Sequence, residues 1–213
     1  MTRTRDLRRG AAAAHRQNLM AVVVVAAGVM AAGVAATSPV TAADHKRSSQ
    51  LTTLDIQACK VVKRHADGNA YRCAGLPGHP VYFAEGDLRT FLSFGQDAAR
   101  RRAAEQTLGP FNTVFEGKSR RTTIEWRIAP RAGKPEPHAA IVRYHATRDK
   151  VRSDVLVVTR IGAKDACHVA YVDAKANPDA ILLARRAADE DAPRFDCTKE
   201  PQILGTPGPL LGN

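Results

Sequence analysis

The sequence predicts an α+β domain over residues 54–197: an antiparallel sheet packed by one or two helices and stapled by two disulfides. Three observations predict it. Alternating apolar segments in the C-terminal half are joined by very short polar turns, which favours an antiparallel meander. A capped helical segment follows them. The chain also holds four cysteines, Cys59, Cys73, Cys167 and Cys197, behind an N-terminal export signature.

In chain order, the signature comes first. Arg3, Arg5, Arg8, Arg9 and Arg16 precede Leu19–Ala36, which carries no charge. Thr37, Ser38, Pro39, Val40, Thr41, Ala42 and Ala43 follow. A basic region, an apolar run and small residues make a secretory signal peptide over 1–43, with cleavage near Ala42. The competing reading keeps residues 19–36 as an uncleaved anchor in the inner membrane. Both readings place the remaining chain in the periplasm or outside the cell. Residues 44–53 are polar and read as a mobile leader.

Leu54–Arg64 reads as a strand and Ala70–Cys73 as its return across an Asp67-Gly68-Asn69 turn. A strict two-residue turn at Asp67-Gly68 would set Cys59 opposite Leu76. Pairing Cys59 with Cys73 therefore needs a longer loop or a bulge. Nearest-neighbour pairing, Cys59–Cys73 with Cys167–Cys197, is the expected connectivity of three. Pro80–Ala84 is a short strand, and Leu88–Phe94 is apolar with Phe91 and Phe94 packing inward. Asp97–Leu108 reads as an alanine-rich helix stopped by Gly109-Pro110.

Thr122–Ile128 alternates strictly, with Ile124, Trp126 and Ile128 on one face. Arg131–Pro137 reads as a Gly/Pro loop. Ala139–Ala146, Val155–Arg160 and Cys167–Asp173 are the next strands. Asn177, Pro178 and Asp179 open a helix to about Ala188, with Ile181, Ala184 and Ala188 as its packing stripe. Residues 198–213 are rich in Pro and Gly and read as a disordered tail.

The 32 Lys and Arg residues outnumber 21 Asp and Glu, for a net charge of +11. Without residues 1–43, 27 basic residues face 20 acidic ones, or +7. Two clusters stand out as candidate sites. His79, Glu85, Asp87 and Arg89 lie among glycines and prolines, where an acid, a base and a cation could do hydrolytic work. Arg100, Arg101 and Arg102 would form a basic helix face for an anionic envelope component or another periplasmic protein. Aromatic residues are 5% of the chain and no nucleic-acid motif occurs, so nucleic acid is not an expected partner. GxSxG, SxxK, HExxH, Walker A and GxGxxG patterns are missing. His138, His145 and His168 sit on or beside separate strands, and neither their spacing nor Cys167-His168 reads as a metal site, so no metal or cofactor is expected.

The stretches Tyr71–Gly95, Arg101–Gly117 and Ala166–Glu190 resemble uncharacterised exported bacterial proteins with a signal peptide and four cysteines at similar places. That resemblance implies location and disulfides only. The expected role is a non-catalytic binding or envelope-associated module. The alternatives are an interaction or inhibitor protein acting through a basic face, or a small exported hydrolase using the His79–Asp87 loop.

Overall fold

The computed structural model describes residues 47–212. The signal-peptide and anchor expectations, and the start of the leader, lie outside the described residues. Among those described, no helix is long and apolar enough to cross a membrane.

Among the described residues, eleven strands form two sheets. The small sheet is an antiparallel meander of β2 (Lys60–His65), β3 (Gly68–Leu76), β4 (His79–Gly86) and β5 (Arg89–Phe94). The large sheet runs β1 (Ser48–Asp55), β7 (Arg121–Arg131), β8 (Lys134–Arg148), β9 (Val151–Ile161), β10 (Ala166–Asp173) and β11 (Gln202–Ile203). A short β6 (Phe111–Thr113) pairs the far end of β8. The meander expected in the C-terminal half is present as β7–β10, and the protein is richer in strand than the predicted packing.

Both faces of the large sheet are buried. Val142, Tyr144, Val155 and Val157 face inward with Trp126, onto Val81, Phe83, Leu92 and Phe94 of the small sheet. Ile141, Leu156 and Val158 face the opposite way, onto Ala180, Ala184, Ala187 and Ala188 of the helix layer. Burial on both faces explains the unbroken apolar runs in β8 and β9. The helix layer is α1 (Ala180–Arg186) continued by a π-turn, Ala187–Asp191. Its small alanines pack close to the sheet, whereas Ile181 of the predicted stripe is exposed.

Four boundary expectations are also corrected. The leader ends early, because Ser48–Asp55 pairs β7 residue by residue and Thr52 accepts a 2.8 Å hydrogen bond from the Trp126 indole. The predicted strand Leu54–Arg64 is broken by a 3₁₀ turn at Ile56–Ala58 that carries the chain between sheets. The predicted helix Asp97–Leu108 is two 3₁₀ turns, Ala98–Arg100 and Arg102–Ala104. Extended Arg101 separates them, and buried Ala98 and Ala103 fix them to the core, which overrides alanine propensity. The tail is ordered through Gly212: β11 pairs β10 in parallel, α2 (Gly208–Leu211) follows, and Leu210 is buried. Asn177 does not cap α1. Its side chain instead bonds Thr206 through both amide atoms and holds the tail down.

Both expected disulfides are formed, Cys59–Cys73 and Cys167–Cys197. The first depends on a bulge. Val61 faces Tyr71 and Lys63 faces Ala70, so Val62 is the extra residue. Lys60 then faces Arg72, and Cys59 reaches Cys73 at a Cα separation of 4.5 Å.

Candidate functional site

The structure does not bring the His79–Arg89 cluster together. His79 opens β4 and Glu85 lies near its end, about 20 Å away along an extended strand. His79 contacts only the Pro77 carbonyl among hydrogen-bond partners. Glu85 instead accepts a forked pair from Arg120 at 3.1–3.3 Å, and Arg120 stacks on Phe115. Asp87 pairs with Arg89, whose guanidinium also donates to the Gly109 carbonyl and covers Phe111. Asp87 and Arg89 therefore hold the β4–β5 turn against β6, and Glu85 ties the end of β4 to Arg120 ahead of β7.

The basic triplet is also divided. Arg101 donates to the Gln96 and Ala163 carbonyls, and Arg102 pairs with Glu200 at 3.0 Å. These two arginines tie loops together. Arg100 has no ion-pair partner among the described residues and stands at the rim of a cavity.

That cavity, of about 260 Å³, is the best-defined candidate site. It lies on the outer face of the small sheet. The register sets Lys60, Arg72, Tyr82 and Ser93 in one row across β2, β3, β4 and β5. Val62, the bulged residue, and Pro80 add apolar walls beside the Tyr82 ring. Burial raises the Tyr82 phenol above its usual range, so it is a neutral hydrogen-bond donor at physiological pH. The loop after β5 closes the far side with Gln96, Asp97 and Arg100. Asp97 adopts a left-handed backbone (φ 54°), which turns the chain over the sheet. Arg72, like Arg100, has no carboxylate within ion-pair distance among the described residues. Two guanidinium groups, unpaired among the described residues, thus share the cavity lining with the single carboxylate of Asp97 and the Tyr82 ring. This arrangement suits a carboxylate or phosphate next to a flat apolar group.

Sequence reasoning picked out Arg100 but missed Arg72 and Tyr82. Their signal was the Cys59–Cys73 register, which sets Arg72 on the outward face; Tyr82 follows from its pairing with Arg72. The three histidines stay apart. His138 is 3.5 Å from Asp189 under the helix layer, His145 pairs with Asp154 at 2.8 Å, and His168 is fully buried with Tyr171 at 2.9 Å. Among the described residues, no three His, Cys, Asp or Glu side chains are grouped to hold a metal ion. No protein-family model, curated protein or solved structure matches the chain.

Proposed function

We propose that this protein is an exported binding module of the cell envelope that holds an anionic group at the Arg72–Tyr82–Arg100 cavity. The observation that carries the reading is the pair of guanidinium groups, unpaired among the described residues, that line a cavity with the half-buried Tyr82 ring. A guanidinium kept free of internal carboxylates is available to a ligand, and two of them bind an anion by shared charge and directed donors. Export is supported by the basic and apolar N-terminal segments and by two disulfides, which persist in oxidising compartments. The resemblance to exported bacterial proteins points the same way. The ligand class is a carboxylate- or phosphate-bearing envelope polymer. Its binding supplies location rather than chemistry.

The test is retention of the folded domain on an immobilised polyanionic envelope polymer across a salt gradient. The wild-type protein elutes at higher salt than Arg72→Gln/Arg100→Gln. Arg102→Gln elutes with the wild type, because Arg102 is already paired with Glu200. Equal elution of the double variant and the wild type would reject the site.

A further inference from the structure

A second site lies at the opposite ends of β4 and β5. The cavity there is about 510 Å³, lined by Asp67, Glu85, Arg89, Thr113, His145 and Thr147 among others. Its floor has an unusual order. In the β6–β8 ladder Thr113 faces His145, and in the β8–β9 ladder His145 faces Asp154. Directly opposed residues in antiparallel strands share a face, with Cβ atoms about 4.5–5.5 Å apart. Thr113, His145 and Asp154 therefore form one row: a hydroxyl, an imidazole and a carboxylate.

The chemistry of the row is directional. Asp154 holds His145 Nδ1 at 2.8 Å, which fixes that nitrogen as the protonated one. The remaining nitrogen, Nε2, has no hydrogen-bond partner among the described residues and is a free acceptor. Thr113 Oγ1 accepts a hydrogen bond from the Phe115 amide at 3.2 Å, which leaves its O–H to donate elsewhere. All three side chains are partly exposed, as reacting groups must be. Arg143 also reaches Asp154, at 3.4 Å.

We infer that this row is a hydrolytic site for a carboxylic ester, independent of the anion-binding cavity. His145 Nε2 takes the Thr113 proton while Oγ1 bonds to the ester carbonyl carbon. The tetrahedral adduct collapses, the C–O bond to the alcohol breaks, and His145 returns the proton to the leaving oxygen. Water then attacks the Thr113 acyl ester with His145 as base, releasing the acid and restoring Thr113. Asp154 is a positioning residue. Asp67 on the cavity wall disfavours phosphate esters and accepts hydrogen bonds from hydroxyl groups of the alcohol. The substrate class is therefore a neutral acyl ester of a hydroxyl-rich alcohol.

The probe is p-nitrophenyl acetate, followed by release of p-nitrophenolate and by the mass of acid-quenched protein. The wild-type protein is expected to release phenolate faster than buffer and to carry an acetyl group on Thr113. His145→Gln is expected to lose about a hundredfold in rate. Thr113→Ala should lose both signals, and Thr113→Ser should keep them. Asp154→Asn should lower kcat and distort its pH profile. The groups facing His145 that can shape that profile are Asp154, Arg143, Asp67, Glu85 and Arg89. Thermal midpoints confirm that each variant is folded. Arg72→Gln/Arg100→Gln should hydrolyse the ester normally, which separates this inference from the binding reading. Turnover no faster than buffer, or undiminished in His145→Gln, would overturn it.

Discussion

Leu88 has a backbone conformation that its side chain disfavours. It is the second residue of the Asp87-Leu88 hairpin turn, with φ 56°, and its side chain is 72% exposed. The left-handed region costs a branched residue about 1 kcal/mol, which no visible packing offsets. Leu88→Gly should therefore raise stability by up to about 0.5 kcal/mol, after the added entropy of glycine in the unfolded chain. Urea unfolding checks the sign, and a loss would show that Leu88 is packed. His168 makes the opposite kind of prediction. Burial pulls its pKa down to about 3, so the folded protein keeps it neutral. The unfolded chain protonates it near 6.5. Stability is thus unaffected above about pH 6.5 and falls by about 1.4 kcal/mol per pH unit below it, until the folded pKa is reached. His168→Gln should flatten that acid limb by about one proton. Unfolding midpoints measured from pH 7 to pH 4 would show it, and an unchanged slope would rule out a neutral buried His168.

At the scale of elements, the Val62 bulge joins sequence to function. It brings Cys59 to Cys73 and sets Val62 in the wall of the cavity beside Arg72 and Tyr82. Deleting Val62 should leave a regular ladder, with Val61 on Tyr71 directly beside Lys63 on Ala70 and Cys59 still opposite Cys73. Free-thiol counting should then find no thiol, and the disulfide's contribution of about 3 kcal/mol, the chain-entropy value for a loop of this size, should be kept. Two free thiols in that variant would show that the disulfide depends on the bend of the bulge rather than on the register. The need for a bulge was legible from the cysteine spacing; its position was not, because period-two patterning cannot say where one residue is skipped. The strands from Thr122 to Asp173 were legible for the same reason of period. Their ends were not. Arg131–Pro137 reads as a loop, yet β7 and β8 continue to an Ala132-Gly133 turn. Residues Lys134–His138 lie beyond the last residue paired with β9, so Pro135 and Pro137 sit on a free edge that needs no donor there. Arg100 was legible as basic surface, whereas its separation from Arg101 and Arg102 depends on tertiary contacts that the sequence does not print.

For the whole molecule, the question is how a helix layer whose fully buried residues are alanines is held to a sheet. Small side chains allow close approach but bury little apolar area each. The remainder comes from charge. Glu125 accepts a forked pair from Arg185, at 2.7 and 3.2 Å. Arg127, on the same face of β7, forks onto Asp189 of the π-turn at 2.9 and 2.6 Å. Ser49 of β1 joins both Glu125 and Arg127. The π-turn is what aims Asp189 at the sheet, which accounts for a widened turn in an otherwise regular helix. Side chains of Glu125, Arg127 and Asp189 are only 9%, 10% and 13% exposed. Removing one partner of such a pair leaves a buried charge and costs about 3–5 kcal/mol. Asp189→Ala should lose about 3 kcal/mol, and Arg127→Met a comparable amount. The double variant should lose less than the sum, by about 1–3 kcal/mol, because neither charge is then left alone. Amide exchange in α1 should accelerate in Asp189→Ala before exchange in β8 does, since the helix layer loses its tie while both sheets keep their shared core. Additive losses in the cycle would show that the alanine stripe holds the helix without the ion pair.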